Sequence, residues 1–249
     1  MFRAFLFDST KIRDIFSEIS NVVEEGDFVI SPDKIKLKAM DSSRTTMIDL
    51  ELLSSFFDKF DCNKTTRIRL SIKQILNLFE NLAANESIDF RFLENESMLI
   101  ITLQGDYQRV FKVHTLTPGF EAEIEPKTSD EVKLTVLSNS LKKVILDAKK
   151  MGEQIQIKAT KEAIAFQTFS DLGNVTSTFS LGETPITELI VNQECEATYN
   201  LEVLGTIIKD APLISETLRM EYSKDQPLFL DLLITNGKLH FYLAPLIEQ

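Results

Sequence analysis

The segment SNSLKKVILDAKK at residues 138–150 carries apolar side chains at Leu141, Val144, Ile145 and Ala148. This spacing follows one face of an α-helix, and we name the predicted element helix C, opened by Ser138 or Ser140. The segment STKIRDIFSEI at residues 9–19 has the same spacing and predicts a matching helix A. Because 129 residues separate Ile12 from Leu141, the two helices indicate a repeat within the chain.

Two further helices recur at a similar distance. Helix B is predicted at residues 71–82 and helix D at residues 201–208, and 131 residues separate Ile72 from Val203. Gly205 interrupts helix D, and Pro212 is expected to stop it. We interpret the chain as an internal duplication.

Short apolar strands follow the helices in the same order in both halves. They are predicted at residues 28–30, 34–37, 88–92 and 98–101, and again at 155–157, 163–166, 218–222 and 228–232. The predicted fold class is α+β, with two similar tandem domains whose helices cover one face of antiparallel sheets. We place the first domain at residues 1–113, a linker at 114–130 and the second domain at 131–249.

The composition limits what the chain can do. Its 249 residues carry a net charge of −11, which argues against a surface that coats nucleic acid, because phosphate binding needs Lys and Arg. No apolar run approaches the roughly 20 residues that a membrane-spanning helix needs. The N-terminal segment is predicted as a strand and not as a signal peptide. We expect an intracellular protein in which Cys62 and Cys195 are reduced and structural.

A catalytic reading finds no support in the motifs. The chain has no phosphate-binding glycine loop and no nucleophile elbow. Its two histidines, His114 and His240, lie far apart in segments with strand-like sequence and do not form a pair. We expect no enzyme activity, no cofactor and no metal site. The alternative of a duplicated α+β enzyme predicts nuclease activity or nucleotide hydrolysis by the pure chain.

Three short motifs resemble those of one family. They are KAMDSSR at residues 38–44, SDLGN at 170–174 and YLAP at 242–245. They resemble, in family order, motifs of archaeal and eukaryotic sliding clamps of the proliferating-cell-nuclear-antigen type. Together with the duplication, the resemblance covers the whole chain. It implies a ring of three two-domain subunits around duplex DNA, with helices lining the inside and sheets outside.

In such a ring the helices would face the phosphates. The DNA-facing candidates are Lys11, Arg13, Lys73, Lys142, Lys143, Lys149, Lys150 and Lys209. Helix C carries four of these lysines away from its apolar stripe, although an isolated helix with this pattern would be interpreted as an ordinary solvated face. Helices A, B and D also carry acidic residues, so they are only weakly basic.

The resemblance also implies a pocket for client enzymes, which insert a glutamine, an aliphatic residue and two aromatics. The matching positions are Met40, Arg44, Thr45, Met47, Ile124, Pro126, Pro227, Tyr242, Ala244 and Pro245. Methionine, proline and tyrosine form an adaptable apolar surface. Without the resemblance, Met40 and Met47 would be predicted as core residues. Thr45 is more polar than the family's pattern, and Leu246 replaces a basic residue, so client preference is expected to differ.

Subunits of this family join edge strand to edge strand. The matching residues are Arg109, Val110, Phe111, Lys112 and Val113 on one edge, and Val175, Thr176, Ser177, Thr178 and Phe179 on the other. Because the two edges differ in sequence, the contact is head-to-tail. The sequence does not distinguish a ring of three identical chains from a ring that contains different subunits. The implied partners are duplex DNA, other clamp subunits, DNA polymerase, flap endonuclease, DNA ligase and an ATP-dependent clamp loader, and the implied location is with the chromosome. A checkpoint-type clamp subunit is the alternative with the same fold.

Overall fold

A computed structural model describes residues 2–83, 85–119, 126, 131–171 and 173–247. The chain divides into two compact units. Unit 1 contains residues 1–40, 48–123 and 234–239, and unit 2 contains residues 41–47, 124–233 and 240–249. Each unit thus includes a short segment from the other half of the chain. The domain limits predicted from the sequence stay a prediction.

The four predicted helices are confirmed. They are α1 (Thr10–Ser20), α2 (Ile72–Phe79), α3 (Ser138–Ala148) and α4 (Leu201–Ile208). Side chains cap two of them, because Ser71 accepts the N–H of Gln74 at 3.3 Å and Asn200 accepts that of Val203 at 3.0 Å. Pro212 was predicted to stop the fourth helix, but that helix already ends at Ile208. A short helix, α5 (Ala211–Ile214), follows α4, and Pro212 lies in its first turn, where its missing N–H costs nothing.

Unit 1 contains two antiparallel sheets. Its strands are β1 (Phe2–Leu6), β2 (Glu25–Ile30), β3 (Lys34–Met40), β4 (Thr46–Leu53), β5 (Lys59–Cys62), β6 (Thr66–Ser71), β7 (Ser87–Leu93), β8 (Met98–Gln104) and β9 (Gln108–His114), with 3₁₀ turns at Ser54–Phe56 and Glu94–Glu96. One sheet has the order β5-β1-β7-β8-β9, and in the other the strands run β4-β3-β2-β6.

Unit 2 repeats this layout. Its strands are β10 (Val132–Leu137), β11 (Gln154–Ala159), β12 (Ala163–Ser170), β13 (Gly173–Ser180), β14 (Ile186–Val191), β15 (Cys195–Asn200), β16 (Thr217–Tyr222), β17 (Leu228–Ile234) and β18 (Gly237–Leu243). The orders are β14-β10-β16-β17-β18 and β13-β12-β11-β15. The same layout occurs twice, so the predicted α+β class with two similar tandem domains is confirmed.

Each unit has its own apolar core between helices and sheets. In unit 1, Phe16 of α1 stacks on Phe28 of β2 at 5.8 Å and meets Phe79 of α2 edge-on at 5.7 Å. In unit 2, Leu141 of α3 and Leu204 of α4 are fully buried. In the part of the chain that the structure describes, no helix is both long and apolar enough to span a bilayer.

Candidate functional site

The turn between β3 and β4 is organised by one carboxylate. Asp41 accepts the backbone N–H groups of Thr45 at 2.8 Å and Thr46 at 2.7 Å, and also the hydroxyl of Ser43. Arg44 adopts a left-handed conformation with φ of 58°, which the tight turn requires. Burial disfavours the charged form of Asp41, but these hydrogen bonds outweigh it and hold the pKa of Asp41 below its ordinary value.

Replacing Asp41 with alanine is expected to lower the free energy of unfolding by about 2 kcal/mol at pH 7, because charge-assisted hydrogen bonds to the turn are lost. Since the folded pKa of Asp41 is lowered, its contribution is present above the unfolded pKa of about 3.9 and is lost as the pH falls through the folded value. Urea unfolding over a pH series from 7 downward should show the full deficit at pH 7 and a progressively smaller one below about pH 3.9. Asp106→Ala, in the exposed β8–β9 turn, is the control and should change little.

The C-terminal segment lies along this turn within unit 2. The Ala244 N–H donates to the carbonyl oxygen of Thr45 at 2.8 Å, and the Leu246 N–H donates to that of Thr198 at 2.8 Å. Pro245 forms an antiparallel bridge with Tyr199, whose side chain is fully buried. Backbone hydrogen bonds therefore hold the tail in place on both sides of Pro245, although its side chains are partly exposed.

An aromatic floor lies beside the tail on the outer face of β17 and β18. The ring of Phe229 is 4.9 Å from that of His240 and 5.2 Å from that of Tyr242, centroid to centroid. Asp231, which is buried, lies 3.3 Å from His240 and 3.4 Å from Arg219. Phe229 is only 6% exposed and Tyr242 is half-buried, so the cluster presents mainly the Tyr242 ring to a ligand, with charged groups along one side.

The structure brings together part of the predicted client pocket. Thr45, Pro227, Tyr242, Ala244 and Pro245 lie in unit 2 with side chains partly or fully exposed. Arg44 is exposed in the same turn, whereas Met47 is only 4 % exposed. Met40 belongs to unit 1, Pro126 is half-buried, and Ile124 lies outside the described residues.

Sequence reasoning missed Phe229 and His240, which form the floor with Tyr242. The alternation of β18, in which Leu239, Phe241 and Leu243 are buried, places His240 and Tyr242 on the other face. This alternation was visible in the sequence. Phe229 lies in the strand LFLDLLI, where nearly every residue is apolar, so no pattern set it apart.

The predicted DNA-facing cations of unit 2 differ in their partners. Lys149 lies 3.0 Å from Glu202, and Lys150 lies 2.6 Å from Asp147. Lys142 donates to the carbonyl oxygen of Lys209 at 2.5 Å. Lys143 and Lys209 are exposed and have no ion pair within the described residues.

In unit 1 the predicted cations are fewer. Arg13 is held by Asp14 at 2.8 Å and by the carbonyl oxygen of Leu82 at 3.3 Å. Lys11 on α1 and Lys73 on α2 are exposed, without an ion pair in the described part of the chain. Exposed ion pairs contribute little and exchange with solvent, whereas Arg13 is also held by a backbone carbonyl, as Lys142 is in unit 2.

The two predicted interface segments lie in edge strands. Arg109, Val110, Phe111, Lys112 and Val113 are in β9, at one edge of its five-stranded sheet, and Val175, Thr176, Ser177, Thr178 and Phe179 are in β13, at one edge of its four-stranded sheet. Arg109 is tied to Glu86 at 2.5 Å, and Val110 is 52 % exposed. Edge strands present unpaired backbone groups that favour pairing with another strand.

A family model described as Rad9 matches residues 12–245. The chain belongs to the Rad9 family. A protein of Thermofilum pendens named DNA polymerase sliding clamp is 29% identical to this chain over 242 residues, which is 97% of each chain. Proteins of the same name from Cenarchaeum symbiosum and Methanothermobacter thermautotrophicus are each 27% identical, covering 97% and 100% of this chain and 96% and 99% of their own length.

Two solved structures share the fold of this Rad9-family chain. The proliferating cell nuclear antigen of Thermococcus kodakaraensis has a TM-score of 0.89 at 22% identity, covering 99% of this chain and 100% of its own. The proliferating cellular nuclear antigen of Entamoeba histolytica has a TM-score of 0.92 at 19% identity and covers 99% of both chains. The chain therefore has the fold of the proliferating cell nuclear antigens.

Proposed function

We propose that this protein is a DNA sliding clamp of the proliferating-cell-nuclear-antigen type. It forms a trimeric ring around duplex DNA and tethers replication and repair enzymes to it. The observation that carries the proposal is the placement of β9 and β13, which lie at sheet edges and correspond by the internal repeat to β18 and β4. The names of the archaeal relatives support it.

The repeat predicts how β9 and β13 of neighbouring copies would pair. Within unit 1, the Leu53 N–H donates to Asn236 at 2.9 Å, and within unit 2 the Ala244 N–H donates to Thr45 at 2.8 Å. The contact in unit 1 belongs to an antiparallel pairing of residues 48–53 with 234–239, which puts position 50 opposite position 239. Position 50 corresponds to 177 in β13, and position 239 corresponds to 109 in β9. The seam register is therefore Arg109 opposite Ser177 and Val110 opposite Thr176.

Contact with DNA is proposed to use the exposed lysines of the helices. Lys143 of α3 and Lys150, in the turn that follows α3, are exposed. The partner of Lys150, Asp147, is itself 58 % exposed, so this pair opens readily towards a phosphate. Such contacts neutralise phosphates without reading bases, which suits a ring that slides. The net charge of −11 is compatible with this because the contact needs only a locally basic surface.

Replacing Lys143 and Lys150 with glutamine is expected to weaken binding to short duplex DNA equally for all sequences. It should also reduce the slope of log affinity against log salt by about 1.8, because each phosphate contact contributes roughly 0.9. Fluorescence anisotropy over a salt series measures the slope. The control variant, Lys158→Gln with Lys161→Gln, removes two exposed lysines of unit 2 that lie outside the helices. It should leave the slope unchanged. An unaltered slope in the α3 variant would contradict DNA contact by α3.

The proposed partners follow from the same function. DNA polymerase, flap endonuclease and DNA ligase would dock on the surface around Tyr242 and Phe229, and an ATP-dependent loader would open the ring. The protein would act at the chromosome and catalyse no reaction itself.

The native mass of the purified chain tests ring formation. Light scattering over a concentration series should give a particle of three times 28.3 kDa. Protein loaded onto closed circular DNA should then stay bound and should leave after the circle is cut. A stable monomer or dimer would mean that the chain needs other clamp subunits to close a ring, and loss from uncut circles would contradict topological tethering.

A checkpoint-type clamp subunit is the second candidate, and the match to the Rad9 family favours keeping it. The first candidate is preferred because the tail at Ala244 and Pro245 is held in place beside the aromatic floor. Polymerase processivity on a primed circle separates the two. A replication clamp extends the length synthesised per binding event, whereas a checkpoint-type subunit does not.

A further inference from the structure

The outer face of the β5-β1-β7-β8-β9 sheet in unit 1 is locally basic. The strand registers place Asp61, Arg3, Arg91, Ile100 and Lys112 directly opposite one another in a single row. Directly opposite residues of antiparallel strands project from the same face. Three cations and one carboxylate therefore share this row, in a chain whose net charge is −11.

Two of these cations are fixed by a buried acid. Asp89 accepts from Arg3 at 2.8 Å and from Arg91 at 2.8 Å, while its own side chain is only 10% exposed. Burial disfavours the charged form, but the bonds from both arginines outweigh it and hold the pKa of Asp89 below its ordinary value. One carboxylate thus positions two guanidinium groups. Because Asp61 lies directly opposite Arg3, Lys112 supplies the positive charge that is left in excess on this face.

Apolar side chains lie between the cations. Ile100 stands between Arg91 and Lys112 in the row, and the adjoining row places Leu93 opposite Met98. Leu93 is 37% exposed, and Ile100 and Met98 are half-buried. The face therefore combines a small aliphatic strip with cations on both of its sides.

The internal repeat relates this face to the aromatic floor of unit 2. Arg91 is opposite Ile100 in unit 1, as Glu221 is opposite Phe229 in unit 2. By the same correspondence, Lys112 of β9 takes the place of Tyr242 of β18. The two faces occupy the same position in their units. Arg91 stands where unit 2 has Glu221, and Ile100 stands where unit 2 has Phe229.

We propose that this face, formed by Arg3, Arg91, Leu93, Met98, Ile100 and Lys112, is a second docking site that binds an acidic peptide. Its ligand carries an aliphatic or aromatic side chain between carboxylates, so that the apolar group covers Ile100 while the acids reach Arg91 and Lys112. Adjacent strands are about 4.8 Å apart, so Arg91 and Lys112 are separated by a distance that an extended peptide spans in roughly three residues. The inference goes beyond the proposed function because it uses none of the pocket residues of unit 2. Lys112 also belongs to β9, the strand proposed to pair at the ring seam, and its side chain projects from the same sheet face as Arg91 and Ile100.

A peptide fits this face better than a nucleic acid does. Proteins that bind single strands stack bases on aromatic side chains, whereas the strip between these cations is aliphatic. Aliphatic side chains give the apolar anchor of a peptide a surface to bury against.

The test uses the whole chain and a short fluorescein-labelled peptide with a central leucine between pairs of glutamates. Binding measured by anisotropy at low salt should weaken roughly fivefold or more in Arg91→Gln with Lys112→Gln, because two attractive charges are removed. Ile100→Thr, which keeps a β-branched side chain, should weaken it as well. Lys158→Gln with Lys161→Gln removes the same charge elsewhere and should leave binding unchanged.

Unchanged affinity in the Arg91 and Lys112 variant overturns the proposal, as does the absence of peptide binding to the parent chain. Binding of a labelled oligothymidine that is lost in the same variant, without peptide binding, assigns the face to nucleic acid and also overturns it. A client-type peptide with two aromatics is measured in parallel. If that peptide fails to bind while the acidic peptide binds, the pocket of unit 2 is refuted and the second site stands.

Discussion

A chain carrying Val110→Cys and Thr176→Cys is expected to form covalently linked oligomers on mild oxidation, seen as ladders on a non-reducing gel. The repeat predicts that these positions face each other across the seam, and both side chains are exposed in the single chain. Directly opposite residues of paired strands have Cβ atoms about 4.5–5.5 Å apart, which small backbone adjustments bring within disulfide distance. Nearly complete cross-linking would end at a closed ring.

The register itself is tested by moving one cysteine. Val110→Cys with Thr178→Cys places the second thiol diagonally, with Cα atoms roughly 7–8 Å apart, and should cross-link far more slowly. Unmodified chain, with Cys62 and Cys195 alone, gives the background. Equal cross-linking of both pairs would contradict the predicted register, and no cross-linking of either pair would contradict the seam.

Tyr242→Ala with Pro245→Ala is expected to weaken binding of a client-type peptide by at least roughly 30-fold, about 2 kcal/mol. Tyr242 is the half-buried member of the aromatic floor beside the buried Phe229, and Pro245 holds the tail against Tyr199. Their loss removes the surface into which two aromatic anchors would insert. Isothermal titration with a peptide bearing a glutamine, an aliphatic residue and two aromatics measures the change.

The matched control is Phe7→Ala with Pro32→Ala, which removes an exposed aromatic ring and an exposed proline from unit 1. It should bind the peptide as the parent chain does. Circular dichroism of both variants should show the parent's content of strands and helices, because the replaced side chains are not part of a core. Parent-like affinity in the Tyr242 and Pro245 variant would refute the pocket.

The helices and the duplication could be predicted because their signals are local. Apolar side chains at helical spacing placed α1, α2, α3 and α4 within a few residues of their observed bounds. The continuation of α4 through Gly205 was less evident, since glycine is a poor helix residue. A Cβ at Gly205 would meet the end of the flexible Lys149 side chain, which can move, and the Cγ2 of Ile145 in α3 at 3.3 Å.

The site was predicted only in part, because sequence patterns reveal residues that are close together in the chain and miss contacts between residues that are far apart in it. Tyr242, Ala244 and Pro245 were found because they lie together in one motif. The partners of the predicted cations were not found, because Lys149 meets Glu202 and Arg13 meets the carbonyl oxygen of Leu82 across long separations. Sequence spacing carries no information about such contacts.

The sequence by itself determined the class of fold, its repetition and the positions of its turns, because periodicity and turn residues act between near neighbours. Only the tertiary structure decided which strands became edges, in which register they pair, and that Arg3 and Arg91 share the carboxylate of Asp89. Strand pairing joins residues that lie far apart in the chain, so an edge strand such as β9 has the same local pattern as an inner strand.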